Sequence, residues 1–206
     1  MRFALDHVMI EVDEPEAACG AFNEVFGLPG AWPLQEGPDY DSVGLNFGVF
    51  NVEFIRFRLR FGIPVQRQRN AVGGVAFKVE GTLEEARRFL AKQGIGHETG
   101  EVSKGHTTIV LDRFRHAVTP FLVQYHFDTS GWISRLRQEF REAGGGRFGL
   151  APDATLLLGS GFRPYKGILA GISCKGAGTL PVVRVHARSV HIPKELEMFG
   201  IRFEAS

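Results

Sequence analysis

The sequence predicts an α+β protein in which two tandem βαβββ modules form one shared curved mixed sheet with helices outside, followed by a C-terminal αβββ extension. The first supporting observation is an internal duplication. Residues 7–27 return 67 residues later as residues 74–94, so that Val8 matches Val75. A repeat of this size indicates one supersecondary unit used twice. We call these units copy one, about residues 3–60, and copy two, about residues 72–127.

A second observation is the similar apolar strand that closes each copy. Residues 51–55 (NVEFI) close copy one, and residues 122–126 (LVQYH) close copy two. The offset between these strands is 71 residues, which makes Gln124 the counterpart of Glu53. Two strand–helix–strands units in succession are typical of an α+β domain.

The elements of copy one follow from local patterns. Residues 3–12 alternate and are rich in apolar residues, which predicts a strand. Asp13 and Glu16 have capping-box spacing, with Pro15 in the first turn of a helix that Gly27 ends.

The rest of copy one is predicted to be β structure. Residues 32–41 contain two prolines and a glycine, which indicate a loop or a broken edge strand. Residues 42–48 and 52–59 then predict two strands.

Copy two repeats this plan. Residues 72–80 predict a strand, Thr82 and Glu85 form a second capping box, and Gly94 ends the helix. Three further strands are predicted at residues 97–102, 106–111 and 120–127.

The remainder of the chain belongs to neither copy. A helix is predicted from about residue 130 to 143, where three glycines end it. Strands are predicted at residues 155–160, 167–174 and 182–191. We therefore divide the chain into residues 1–128 and 129–206, and we interpret the second part as an extension covering an edge of the main sheet rather than a truncated third module.

Composition restricts the function classes. The chain has 206 residues and a formal net charge of +1, which gives no reason to expect nucleic acid or an acidic membrane surface as the main partner. Its two cysteines, Cys19 and Cys174, form no disulfide framework. We find no apolar run long enough for a membrane span and no signal peptide, and we expect a cytoplasmic protein.

The motifs resemble those of the glyoxalase / vicinal-oxygen-chelate superfamily. Residues 5–8 (LDHV) open copy one and residues 52–55 (VEFI) close it, while residues 119–125 (TPFLVQY) are similar to the closing strand of glyoxalase-like domains. The resemblance covers residues 3 to about 127. It implies a concave inner face of the sheet as the ligand site, and homodimerisation is usual on this scaffold.

The resemblance also implies one divalent metal ion held by the first and last strands of each copy. The implied ligands are His7, Glu53 and Gln124, and the fourth position is Gly74, which has no side chain. Nitrogen and oxygen donors of this kind suit Zn²⁺, Mn²⁺, Fe²⁺ or Ni²⁺, and Gly74 and the neutral Gln124 leave open whether a metal is bound at all. His126 or His106 is an alternative occupant of the vacant position. Glu53 is also a candidate general base, and the candidate ligand contacts are Asn46, Ile55, Phe57 and His126.

Three functions remain open at this point. The first is a small-molecule enzyme of the lyase or isomerase type, in which a metal polarises vicinal oxygens of a substrate. A dioxygenase is disfavoured because Gly74 removes the second histidine of a two-His, one-carboxylate set. The alternative is a metal-free protein of the same fold that binds or sequesters a small, partly aromatic compound. A structural or regulatory role, with residues after 129 as a docking surface, is a third reading.

Overall fold

The computed structural model describes residues 1–113, 117–146, 154–157, 160–173, 182–185 and 195–205. The described elements of copy one are β1 (Phe3–Glu11), α1 (Pro15–Phe26), β2 (Gly30–Glu36), β3 (Tyr40–Asn46) and β4 (Asn51–Phe57). A small hairpin of β5 (Leu59–Arg60) and β6 (Ile63–Pro64) follows. The elements of copy two are β7 (Ala71–Lys78), α2 (Leu83–Lys92), β8 (His97–Val102), β9 (His106–Leu111) and β10 (Thr119–Tyr125).

The two copies share one mixed sheet with the strand order β2-β3-β4-β1-β7-β10-β9-β8. The first strands of the two copies, β1 and β7, pair antiparallel at the centre, where Val8 lies opposite Val75. In each copy the last strand pairs in parallel with the first, β4 with β1 and β10 with β7. The predicted fold class and the paired βαβββ arrangement implied by the resemblance are thus confirmed.

The sheet has a helix face and an inner face. Val8 and Phe54 point to the helix face, where they join the core with Phe22 of α1 and Leu90 of α2. Because successive side chains of a strand alternate between faces, His7 and Glu53 point to the inner face. The predicted capping box of α2 is present: the Thr82 hydroxyl accepts from the Glu85 amide, and the Glu85 carboxylate accepts from the Thr82 amide.

The start of α1 differs from its prediction. Asp13 was expected to cap this helix, but the N-cap residue is Glu14, and within the described residues no side-chain hydrogen bond caps it. The reason is that Pro15 takes the first helical position, which its fixed φ favours, and so places the cap one residue later. Of residues 32–41, residues 32–36 belong to the edge strand β2, whose pairing with β3 is broken by two register shifts, and residues 40–41 begin β3.

The sheet curves strongly. The hydroxyl of Tyr40 on β3 donates a hydrogen bond of 3.1 Å to Glu101 on β8, although these strands are separated by five others in the sheet order. Contact between strands near opposite edges requires the sheet to wrap around its inner face. The result is the concave surface that the resemblance implied.

The extension begins with α3 (Ser130–Glu142), close to the predicted helix. Its described strands are β11 (Ala154–Leu157), β12 (Leu169–Ala170), β13 (Ile172–Ser173), β14 (Val182–Val185), β15 (Glu195–Met198) and β16 (Ile201–Ala205), and a 3-10 helix spans Ser160–Tyr165. Five of these strands form a second sheet in the order β13-β11-β14-β16-β15. Three strands were expected here. The segment predicted at 167–174 divides at Gly171, whose φ of 82° breaks an extended strand, and β15 and β16 were not predicted.

The extension packs on the helix face of copy one. The rings of Phe203 on β16 and of Phe199 lie against Phe22 of α1, with centroid distances of 5.4 and 6.4 Å. Strand β12 also pairs in parallel with the start of β1. No helix in the described parts of the chain is long and apolar enough to cross a membrane.

Candidate active site

His7 and Glu53 meet on the inner face of copy one. They lie on the adjacent parallel strands β1 and β4, where Met9 is the direct partner of Glu53. The Nε2 atom of His7 is 3.4 Å from Oε2 of Glu53, and each side chain is only about a tenth exposed. The structure therefore brings together two of the predicted site residues.

Asp6 holds the other ring nitrogen of His7. The Nδ1–H of His7 donates to Oδ1 of Asp6 over 2.7 Å. These neighbours in sequence can interact because a register shift between Leu5 and His7 interrupts the regular alternation of β1. The hydroxyl of Tyr125 on β10 donates to the same Asp6 oxygen over 2.9 Å. A continuous chain of contacts thus runs from Tyr125 through Asp6 and His7 to Glu53.

This setting shifts the pKa of both members of the pair. Burial alone would lower the pKa of His7, but the Asp6 hydrogen bond and the charges of Glu53 and Asp6 outweigh it and raise that pKa. Burial raises the pKa of Glu53, and the charge of His7 and a hydrogen bond from Ser42 offset only part of this rise. Burial and the neighbouring Asp6 also raise the pKa of Tyr125, which therefore stays protonated at neutral pH. Proton transfer near neutral pH commonly uses buried acidic and basic groups whose pKa values are raised.

Trp32 and Ser42 support Glu53 from the side of β2 and β3. The indole Nε1–H of Trp32 lies 3.4 Å from the hydroxyl oxygen of Ser42, to which it donates, and Ser42 in turn bonds Glu53. The Trp32 ring covers Gly44, where an added Cβ atom would lie 2.5 Å from the indole. Glycine at position 44 is thus what allows the indole to lie beside the pair.

A second polar group lies near Glu53 at the edge of copy two. Nε2 of His106 is 3.4 Å from Oε2 of Glu101, and Oε1 of the same carboxylate accepts a hydrogen bond from the Tyr40 hydroxyl. Burial would raise the pKa of Glu101, but its bonds with His106 and Tyr40 lower it overall. The charges of both His106 and Glu101 act on the pKa of Glu53. His106, one of the alternative ligands, is therefore a neighbour of the pair that is itself bound to Glu101.

The half of the site that copy two was expected to supply is apolar. In the parallel pairing of β7 with β10, Ala76, the equivalent of Met9, is the partner of Phe121. The structural counterpart of Glu53 is therefore Phe121 and not Gln124, which corrects the alignment by offset. The side chain of Gln124 faces away from the pair and donates to the carbonyl oxygen of Gly81.

No neighbouring donor takes the place of the ligand that is missing at Gly74, because apolar groups fill the space beside this residue. A Cβ atom on Gly74 would lie 2.8 Å from Cε of Met9 and 3.0 Å from Cε1 of Phe121. The ring of Phe121 also contacts the His7 imidazole at a centroid distance of 5.6 Å. Two protein donors, His7 and Glu53, are thus left where metal sites use three or more. In the described ranges, no group of three His, Cys, Asp or Glu side chains is arranged to hold a metal ion, and the donor set does not fit a resident divalent cation.

The remaining predicted ligand contacts have other partners. Both amide atoms of Asn46 are used: Nδ2 donates to the Leu136 carbonyl over 2.6 Å, and Oδ1 accepts from the Gly48 amide over 2.8 Å. Nε2 of His126 lies 3.0 Å from the Thr107 hydroxyl. None of these contacts is with His7 or Glu53.

Ile55 and Phe57 continue strand β4 beyond Glu53. Ile55 is buried, and the Phe57 ring lies 5.3 Å below the guanidinium of Arg60. By strand alternation both share the inner face with Glu53. Ligand contact at either position stays a prediction.

A buried ion pair closes the far end of the inner face. Arg60 binds Glu11 of β1 directly, and its other nitrogen donates to the Gly73 carbonyl over 2.9 Å and to the Thr119 hydroxyl over 3.3 Å. Arg69 lies 3.7 Å from the same carboxylate. No local pattern in the sequence predicts this pair, because Glu11 and Arg60 lie on strands that are distant in sequence.

Sequence reasoning also missed Asp6, Tyr125 and Trp32. Asp6 was visible as part of the opening motif, but the expected alternation of β1 placed it on the opposite face from His7. Tyr125 and Trp32 gave no local signal, because their roles depend on strands that are distant in sequence.

Comparisons with known proteins bear on the fold. No family model matches the sequence, and no curated protein matches it. The structure is similar to a hypothetical protein from Staphylococcus aureus, with a TM-score of 0.61 and 11% identity, and the alignment covers 100% of each chain. This similarity includes the extension, so the whole architecture occurs in another protein.

Two further similarities each cover about three fifths of this chain. Hypothetical protein BH1468 from Bacillus halodurans C-125 aligns over 60% of this chain and 95% of its own, with 16% identity and a TM-score of 0.49. Methylmalonyl-CoA epimerase from Mycobacterium tuberculosis aligns over 58% of this chain and 86% of its own, with 16% identity and a TM-score of 0.45. At such scores neither alignment indicates what this chain binds or does.

Proposed function

We propose that this chain is a small-molecule enzyme in which His7 and Glu53 move a proton at a carbon atom next to a carbonyl group, a reaction of the isomerase type. The observation that carries the proposal is the buried contact of 3.4 Å between Nε2 of His7 and Oε2 of Glu53. A base and an acid that close can reach neighbouring atoms of one substrate. Because the donor set supplies two ligands, no step of the proposal uses a metal.

The roles follow from the surroundings of each group. Glu53, whose pKa is raised by burial, takes the proton from the carbon atom as its carboxylate. The imidazolium of His7, held by Asp6, donates a hydrogen bond to the carbonyl oxygen and stabilises the negative charge that develops there. The His7 imidazolium proton passes to the carbonyl oxygen to give an enediol. Glu53 then returns its proton to the former carbonyl carbon while His7 recovers a proton from the other hydroxyl group, so that the product is the isomer and the enzyme ends in its starting state.

The proposal can be tested with α-hydroxy ketones, which combine a carbonyl group, a neighbouring oxygen and exchangeable protons. We suggest hydroxyacetone and 2-hydroxyacetophenone in D₂O, with loss of the α-proton signal followed by NMR. The wild-type protein should accelerate exchange, and Glu53→Gln should slow it by about 100-fold or more. Glu84→Gln, an exposed carboxylate on α2, is the matched control and should leave the rate unchanged.

Two outcomes would overturn the proposal. One is equal exchange by the wild type and Glu53→Gln. The other is exchange at the buffer rate with a ketone that calorimetry shows to be bound.

A second candidate function is binding without reaction. It is favoured by the apolar half of the site, where Met9 and Phe121 cover Gly74. A protein of this kind would bind the ketones with unchanged affinity in Glu53→Gln and show no exchange in either form.

A further inference from the structure

Both tryptophans of the chain meet beside the His7–Glu53 pair. Trp32 lies on β2 of copy one, and Trp132 lies on α3 of the extension, yet their ring centroids are 6.4 Å apart. Trp32 also contacts the His7 imidazole at 6.1 Å. The extension thus places an aromatic side chain at a site that is otherwise built by the duplicated modules.

Tyr125 completes this group of rings. Its ring meets that of Trp132 edge to face at 5.7 Å, while its hydroxyl bonds Asp6. We call Trp32, Tyr125 and Trp132 the aromatic wall. Within this wall, Trp32 contacts His7 and Tyr125 bonds Asp6, and His7 and Asp6 both belong to the chain of contacts that leads to Glu53.

The rings of the aromatic wall differ in exposure from the phenylalanine rings of the hydrophobic core. Phe22, Phe26 and Phe54 are fully buried, whereas Trp32, Tyr125 and Trp132 are each partly exposed. Large rings that keep accessible surface next to buried charged groups are typical of ligand sites, where they supply contact area at low cost in entropy. The rings of the wall are tilted by 53° and 68°, so they do not cover one another face to face.

The position of Trp132 is fixed by anchors along α3. Near the start of the helix, Lys78 of β7 donates to the Thr129 hydroxyl. In the middle, Asn46 of β3 donates to the Leu136 carbonyl, and near the end the Phe140 ring packs on Gly48. Contacts to both copies therefore hold the first two turns of α3 over the inner face.

We infer that Trp132, together with Trp32 and Tyr125, forms a subsite for a flat aromatic or conjugated group of the substrate. This inference rests on the proposed function only in taking the His7–Glu53 site as the place where the ligand binds. The carbonyl group would lie at His7 and Glu53, and the ring would stack on the exposed part of the wall. The role of the extension is then to set specificity.

The two α-hydroxy ketones test this inference because 2-hydroxyacetophenone carries a phenyl ring where hydroxyacetone carries a methyl group. Isothermal titration calorimetry should show that the wild type binds 2-hydroxyacetophenone about tenfold or more tightly than hydroxyacetone. Trp132→Ala should reduce this preference about fivefold or more, with the affinity for hydroxyacetone little changed. Ser134→Ala, an exposed position on the same helix, is the matched control and should keep the preference.

Trp132→Leu provides a second variant that keeps apolar volume at this position, in case alanine weakens the packing of α3. It should lose the preference like alanine, whereas Trp132→Phe should retain most of it. Equal affinity of the wild type for the two ketones, including no measurable binding of either, would overturn the inference. So would an unchanged preference in folded Trp132→Ala or Trp132→Leu.

The same measurements separate this inference from the proposed function. If proton exchange fails but the preference for the aryl ketone depends on Trp132, the subsite stands and the protein is a binder. If exchange depends on Glu53 but the preference is absent, the proton-transfer function stands and the subsite does not.

Discussion

At equivalent positions of their first and last strands, copy one carries His7 and Glu53, whereas copy two carries Gly74 and Phe121. The backbone arrangement is the same in both, including the parallel pairing of last strand with first. The side chains on the inner face are opposite in character. Copy one supplies the ionisable pair of His7 and Glu53, and copy two supplies the apolar surface of Phe121 against which His7 packs.

The comparison shows that a duplicated scaffold does not require a duplicated site. Copy two contributes to the site from other positions: Tyr125 fixes Asp6, and the Glu101–His106 group acts electrostatically on Glu53. Burial is the main cause of the raised pKa of Glu53.

The largest effect on stability is expected at Arg60, which binds Glu11 within copy one and also donates to Gly73 and Thr119 of copy two. Arg60→Met should lower the free energy of unfolding at neutral pH by about 3–5 kcal/mol, because it leaves the carboxylate of Glu11 buried without its main partner. Urea denaturation measures this change. Arg88→Met, which breaks only an exposed pair with Glu84, is the control and should have little effect. A loss as small as that of the control would mean that Glu11 does not depend on Arg60 for its burial.

A smaller loss is expected when copy two is made more like copy one at position 74. Gly74→Ala should cost about 1–3 kcal/mol, because the added Cβ would press on Met9 and Phe121. Gly20→Ala on α1 meets nothing within 4 Å and should instead stabilise by up to about 1 kcal/mol. Thermal unfolding compares the two variants. If Gly74→Ala is neutral, the apolar packing beside Gly74 is looser than the structure shows.

The pH dependence of stability should expose the raised pKa of His7. A histidine whose folded-state pKa is raised stabilises the protein fully below its unfolded value of about 6.5, and this contribution is lost as pH rises through the folded-state pKa. The wild type should therefore lose more stability than His7→Gln between about pH 6 and about pH 8.5. Urea unfolding at both pH values gives the comparison. Parallel pH profiles of the two proteins would contradict the assigned shift.

The smallest effect is expected from chelation. Because copy two brings no ligand to the pair, dialysis against EDTA should change the melting temperature by less than about 1 °C. The proton-exchange rate should also stay the same. A fall of several degrees that zinc or manganese reverses, and that is absent in His7→Ala, would show that a metal is bound after all.

The sequence was sufficient for the main elements and for one half of the site. The duplication predicted the paired βαβββ units, and the opening and closing motifs of copy one predicted His7 and Glu53. The prediction was wrong about strand register. Sequence similarity aligned Gln124 with Glu53, whereas the hydrogen-bonded pairing of the strands makes Phe121 the counterpart of Glu53. A closing strand shifted by an odd number of residues presents its other face, so one alignment error moves Gln124 from the helix face to the site.

By itself, the sequence determined that the scaffold is repeated and that only its first copy has a histidine and a glutamate in the key positions, because these follow from local pattern and internal comparison. Tertiary structure decided what those residues do. The bulge that turns Asp6 towards His7, the apolar side chains over Gly74 and the meeting of Trp32 with Trp132 all depend on contacts between segments distant in sequence. Burial and neighbouring charge set the pKa of each group, and both are properties of the folded chain.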